Sequence, residues 1–273
     1  MTNPPRDPAV DEPPAAQHRS RRTLIARLLR NGAVRLGGGL LLAIVFIALF
    51  APWLYTIDPA AMDPANANQL PGAQVEFVAL DGTSFAHRYL MGADSLGRDI
   101  WSRAAYGARV SLVIAAAVAA IAVGAGVFIG MLAGYFRRLD GVVMRLMDGA
   151  MAIPAILFAI SIVALFGGSV WTVTLAIAAP EIPRVARLVR SVVLQLREEP
   201  YVEAAVALDT PTWKILWRHI LPNAAAPLIV QGTYIGATAI LIEAILSFLG
   251  VGLPAEMATW GNLMAEGRSQ FNQ

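Results

Sequence analysis

Residues 110–136 read VSLVIAAAVAAIAVGAGVFIGMLAGYF, 27 positions without a charge. A helix of that length rises about 40 Å, more than the roughly 30 Å of hydrocarbon in a bilayer. The run therefore reads as a membrane-spanning helix. Gly126, Gly130 and Gly134 recur within it at every fourth position, with Gly124 beside them. Small residues so spaced make a smooth stripe where a second helix packs closely. A dinucleotide loop is the competing reading, but the spacing G-x-G-x3-G is wrong for it and no strand precedes it.

Outward from this run, the same pattern recurs. Leu36–Ile57 is uncharged for 22 residues, Gly149–Pro180 for 32, and Ala224–Gly250 carries one charge, Glu243, in 27. Gly167-Gly168-Ser169 breaks the 32-residue run into two spans joined by a tight turn, the first starting near Leu146. The second is weak, because Glu181, Arg184, Arg187 and Arg190 begin where its end should lie. Five spans result, and the fold class is all-α, a polytopic transmembrane helix bundle. Composition agrees. Only 15% of residues are charged and 57% are hydrophobic, against roughly 25% charged in soluble domains.

The segments divide as a basic, partly disordered N-terminus (1–35), a first span (36–57), a polar loop (58–108) and a helical core (109–273). Six acids mark the loop: Asp58, Asp63, Glu76, Asp81, Asp94 and Asp99. Arg19, Arg21, Arg22, Arg27, Arg30 and Arg35 precede the first span. Arg137, Arg138 and Arg145 lie between the second and third, and further basic residues between the fourth and fifth. The N-terminal cluster alone fits a solvated basic helix or a nucleic-acid patch. Its place directly before an apolar run favours a membrane-orientation signal, with no nucleic-acid partner. All three clusters fall on one side if the N-terminus is cytoplasmic. The 58–108 loop, the Gly167 turn and residues 251–273 then lie outside. No small-residue cleavage site follows the first apolar run, which reads as a retained anchor in a cell membrane.

Several chemistries are excluded. The chain has no cysteine, and His18, His87 and His219 are scattered without metal-ligand spacing, so neither a disulfide nor a metal site is expected. Its one lysine, Lys214, follows Trp213, so the phosphate loop G-x4-G-K-[ST] cannot form. No catalytic constellation stands out, and the chain reads as neither an enzyme nor a binder of its own cofactor.

Pro154, Pro180 and Pro183 lie in apolar runs, where proline frees a carbonyl and bends the helix. Glu243, and Glu181 beside the prolines, are costly at membrane depth and should face protein or water. Glu243 has two readings. It is a translocation-path or gate residue, or a hydrogen-bonded clamp between helices near the outer surface.

Between the last two spans lies EAAVALDTPTWKILWRHILPN, residues 203–223. Pro200 suits the first turn of a helix that follows Glu198 and Glu199. Asp209-Thr210-Pro211 breaks that helix, and Thr210 is placed to cap the next one. Trp213, Leu216, Trp217 and Ile220 recur at helical spacing as one apolar face. Leu221-Pro222 closes the unit. Residues 198–222 thus form a short helix pair that either rests on lipid with its tryptophans or docks into a partner's groove.

This segment resembles the cytoplasmic loop of membrane subunits of binding-protein-dependent ABC importers. Glu203, Ala204, Ala205, Ile220, Leu221 and Pro222 fit its E-A-A and I-L-P positions. MGADSLGRDIWSRAAYGARVSL (91–112), GYFRRLDGVVMRLMD (134–148), EAILSFLGVG (243–252) and WGNLMAEGR (260–268) narrow the resemblance. They are similar to the second permease subunit of dipeptide, oligopeptide and nickel importers. The resemblance implies that the 203–222 loop couples transport to ATP hydrolysis. Its partners would be two ATP-binding subunits or domains carrying ATP-Mg, a second permease subunit in a heterodimer, and an extracytoplasmic solute-binding protein. Asp209 stands where the family has Gly, which supplies a left-handed turn residue. The family also continues into a sixth span after the WGNLMAEGR motif, and this sequence stops at Gln273. The DSLGRD run at Asp94–Asp99 reads as a turn packed on the outer helix ends. Two other classes remain in view: an ATP-independent secondary transporter or channel, for which only Glu243 and Glu181 are available, and a truncated, non-transporting membrane subunit.

Overall fold

The computed structural model describes residues 30–270. The Pro-rich start, the arginines up to Arg27 and residues 271–273 lie outside the described residues. The chain divides into two units, one up to Phe46 and one from Ile47 onward. The described part of the first holds most of helix α1 (Gly32–Phe50), whose Leu36, Leu40 and Leu42 are all exposed. A helix apolar around its whole circumference is matched to lipid rather than water. A 3₁₀ turn, Ala51–Trp53, follows it.

The second unit centres on α2 (Ile100–Tyr135), which packs along α5 (Val170–Leu196) and α8 (Leu221–Phe248). Asp99 caps α2 by accepting from the Ser102 amide at 3.0 Å. The helix is 36 residues long, about 54 Å at 1.5 Å per residue. Gly126, Gly130 and Gly134 are buried along it. A Cβ on them would strike Val185, Ala186 and Val189, and Val193 in turn. The two numberings climb together, so α2 and α5 run parallel. Gly232 and Gly236 of α8 approach Val123 and Ala115 in the opposite sense. The end where α2 and α5 begin is termed the head here, and the opposite end the foot.

Among the described residues three helices, Gly32–Trp53, Ile100–Tyr135 and Thr212–Phe248, are long and apolar enough to cross a bilayer. The expected third span is a bent pair, α3 (Arg137–Met151) and α4 (Ala155–Phe166), turned by 79°. Pro154, expected as a kink, instead separates the two helices. Its ring disfavours the helical region for the preceding residue, Ile153, so α3 stops and α4 starts anew. Gly167 (φ +83°) ends α4, and Ser169 caps α5 through the Thr172 amide. The charged second half of α5 lowers its hydropathy below that of the other spans. That half is also largely enclosed: Glu181, Val185, Ala186, Val189 and Val193 are buried among α2, α3 and α8. A helix shielded from lipid by its neighbours can carry charges that an isolated span cannot.

At the head, residues 51–99 fold into a small cap built on a β-hairpin. Strands β1 (Gln74–Val78) and β2 (Ser84–Arg88) pair antiparallel, with Val75 opposite His87 and Phe77 opposite Phe85. Asp81 and Gly82 (φ +87°) form the turn. Phe77, Tyr89 and Ala93 make a separate core beneath it. Helix α9 (Trp260–Gln270) lies at the same end, tied to α2 by a hydrogen bond from Trp260 Nε1 to the Ala104 carbonyl at 3.1 Å.

Candidate functional site

At the foot, α6 (Pro200–Ala207) and α7 (Thr212–Ile215) form the helix pair. The Thr210 amide bonds to the Ala205 carbonyl at 3.1 Å and the Asp209 amide to Val206 at 3.0 Å. This double closure needs a left-handed residue between helix and loop, and Asp209 supplies it at φ +53°. Thr210 does not cap α7. Pro211 occupies the cap position, and no side chain bonds there.

The chain does not break at Leu221-Pro222. A π-turn, Leu216–Ile220, carries α7 directly into α8, so Thr212–Phe248 is one continuous helix. Proline lacks an N–H and collides with the carbonyl four residues back, and the wider π-turn just before it removes that conflict. The expected apolar face also divides. Leu216 and Ile220 are buried with Ile215, Val202 and Ala205, whereas Trp213 and Trp217 are 66% and 58% exposed. Of the coupling positions expected from sequence, Ala205 and Ile220 face inward and Leu221 is half-buried. Glu203, Ala204, Asp209 and Pro222 are exposed. Asn223 ties the pair together, donating to Tyr201 Oη at 3.2 Å and to the His219 carbonyl at 2.6 Å.

Glu243 is fully buried near the head end of α8. Its Oε1 accepts from Ser247 Oγ at 3.1 Å and from Thr259 Oγ1 at 3.0 Å, while Oε2 has no hydrogen-bond partner. Thr259 in turn accepts from the Asn262 amide, so the carboxyl joins the last turns of α8 to the start of α9. Glu181 is also buried, but it sits on α5 and accepts from Arg184 one turn along. No hydrogen bond joins the two glutamates among the described residues.

Two sets of ion pairs organise the ends, one of them in the DSLGRD run that the sequence already marks as a turn. On α3, Asp140 and Asp148 pair with Arg190 and Arg187 of α5, which explains why arginines begin midway along that helix. At the head, Arg98 bonds Asp94 at 2.6 Å, and Arg98 and the fully buried Arg103 both donate to Glu266 of α9, at 2.9 and 2.8 Å. The Asp94–Asp99 run is thus a turn pinned by ion pairs to α9. Gly97 in it (φ +74°) leaves space only for the Asp63 backbone. The signal available in the sequence was the opposite sign of residues 39 to 168 positions apart.

Beside this turn, burial pushes the His87 imidazole below its ordinary range, opposed by Asp99, whose Oδ2 lies 3.8 Å away. Tyr89 is pushed up to about 12 by burial and by the nearby Asp63, Asp99 and Asp94. Its hydroxyl donates to the Gly97 carbonyl at 2.9 Å.

The fold and these elements define a multi-pass helical membrane protein. Residues 126–269 match the family described as the binding-protein-dependent transport system inner membrane component, and residues 21–71 match the N-terminal transmembrane domain of oligopeptide transport permease C. A probable peptide ABC transporter permease of Sinorhizobium fredii is 45% identical over 246 residues, covering 90% of this chain and 79% of that protein. The dipeptide transport system permease DppC of Alkalihalophilus pseudofirmus is 39% identical, covering 92% and 78%. The glutathione transport system permease GsiD of Pectobacterium atrosepticum is 37% identical, covering 90% and 77%. The chain belongs to the binding-protein-dependent ABC permease subunits, within their peptide-transport branch.

Proposed function

We propose that this chain is a permease subunit of an ATP-driven importer for short peptides. It works beside a second permease subunit, with two ATP-binding subunits at the foot and a solute-binding protein at the head. The foot, which carries Arg137, Arg138 and Arg145, is then cytoplasmic by the positive-inside rule. The peptide substrates named for the similar permeases support the substrate class.

The observation that carries the coupling reading is the continuity of Thr212–Phe248. A partner gripping Glu203 and Leu208 at α6, and Trp213 and Trp217 of the continuous helix, all exposed, holds a lever that runs directly into α8. A partner's motion at the foot then tilts α8, and with it the Glu243–Thr259 link at the head. Alternating access follows from that tilt against the second permease subunit. Nucleotide chemistry belongs to the ATP-binding partner, which supplies ATP-Mg.

Affinity purification from a membrane expressing all subunits tests this reading. The ATPase is expected to co-purify with the native chain and to be lost with Glu203→Arg combined with Trp213→Asp. Peptide uptake is expected to stop when the ATPase is inactivated. An ATPase still bound to the double variant, or uptake without ATP hydrolysis, overturns it.

A further inference from the structure

The middle third of α8 carries two polar side chains, Gln231 and Tyr234, that nothing among the described residues satisfies. Pro227, Gln231, Tyr234 and Thr238 follow one another at spacings of four, three and four, a single stripe along the helix. Tyr234 is 57% exposed and Gln231 half-exposed. Neither the Gln231 amide nor the Tyr234 hydroxyl has a hydrogen-bond partner among the described residues. The nearby serine and threonine hydroxyls behave differently. Ser161, Thr233 and Thr238 each donate to a carbonyl of their own helix, at 2.8 to 3.0 Å. Those hydroxyls can face lipid at little cost. A primary amide cannot, because its transfer to hydrocarbon without partners costs about 4–8 kcal/mol. Pro227 adds to the stripe, because it lacks the N–H that would bond the Asn223 carbonyl.

We infer that the Gln231–Tyr234–Thr238 stripe lines the aqueous substrate path and that Gln231 and Tyr234 hydrogen-bond the main chain of a passing peptide. The inference rests on the transport reading above. A glutamine amide both donates and accepts, as peptide groups do, and a phenol adds one donor and acceptor on the same face. Neutral groups of this kind contact peptide backbones of any sequence without holding one charge, which suits passage rather than tight capture. The acids Glu181 and Glu243, each buried and bonded within the chain, do not offer such a surface.

The absence of native cysteine makes the test direct. Gln231→Cys, Tyr234→Cys and, as an exposed apolar comparison on α2, Phe128→Cys are introduced singly into the assembled transporter. Labelling of this chain by a charged, membrane-impermeant thiosulfonate is read by intact mass. The first two variants are expected to label at least tenfold faster than the third and to be protected by a di- and tripeptide mixture. Gln231→Leu is expected to lower peptide uptake at least tenfold while the ATPase still co-purifies. Gln231→Asn retains a measurable fraction. Labelling no faster than at Phe128→Cys, as when lipid or a partner helix covers the stripe, overturns the inference. So does wild-type uptake by Gln231→Leu. Native uptake that ignores ATPase inactivation overturns the importer reading instead, so the two failures are distinct.

Discussion

Arg190 holds Asp140 across the α3–α5 interface with two hydrogen bonds, one from Nε to Oδ1 and one from Nη2 to Oδ2 at 2.6 Å. A bidentate pair of this kind fixes angle as well as distance. It lies about three turns before the point where α3 gives way to the sharp bend at Pro154. Both side chains are partly exposed, so the pair is worth about 1 kcal/mol rather than a buried ion pair's much larger range. Asp140→Asn and Arg190→Gln are each expected to lower the thermal midpoint in detergent slightly. The double variant should cost less than their sum, because the second change removes a partner already lost. A double-mutant cycle read by thermal unfolding checks this.

Gly130 makes the opposite kind of contact, defined by what is missing. A Cβ there would overlap the Ala186 carbonyl and Val189, both on α5. Gly130→Leu is expected to force α2 from α5 and destabilise the bundle by about 1–3 kcal/mol. Gly124→Ala has open space and is expected to be neutral. Thermal aggregation of the two variants in the same detergent separates a packing stripe from a general dislike of substitution in α2.

The head cap should be acid-sensitive. His87 is buried among Tyr55, Phe77, Phe85 and Tyr89, with Asp99 as its nearby charge. Its folded pKa lies below the ordinary 6.5. The unfolded chain therefore takes up the proton first, and stability is complete above pH 6.5 and falls as pH drops through the folded value. His87→Phe keeps the aromatic packing and removes the titration. Hydrogen exchange of residues 72–99 from pH 7.5 to 5.5 should accelerate in the native chain and change less in the variant. Equal acid sensitivity in both assigns the effect to other groups.

What the sequence discloses and what it hides follow from range. The uncharged runs, the Gly167 turn and the glycine stripe depend on residues close in the chain, and their spacing carries them. The end of α5 does not, because Arg187 and Arg190 meet acids 39 and 50 residues away. The hairpin had a local signal, Asp81-Gly82 between alternating apolar residues, but it lies in a loop that acidic residues dominate. Proline was ambiguous by nature. Pro154 separates two helices, Pro180 and Pro183 sit inside one, and Pro222 is absorbed by a π-turn. Which outcome holds depends on what packs around the freed carbonyl. Gln231 and Tyr234 carry no charge and so leave no mark in the charge pattern, though at membrane depth an unpartnered amide is also costly.

Asp209 offers the closest test of the foot. Its φ of +53° is a conformation that glycine adopts freely and a β-carbon disfavours by about 1 kcal/mol. The exposed carboxylate has no hydrogen-bond partner among the described residues that would offset this cost. Asp209→Gly is therefore expected to relieve the turn and slow hydrogen exchange at the Thr210 and Asp209 amides, which close it. Asp209→Val, branched at Cβ, is expected to open the turn, speed exchange there and weaken association with the ATP-binding partner. If the valine variant exchanges like the native chain and still binds the partner, the left-handed turn does not set the geometry of this surface.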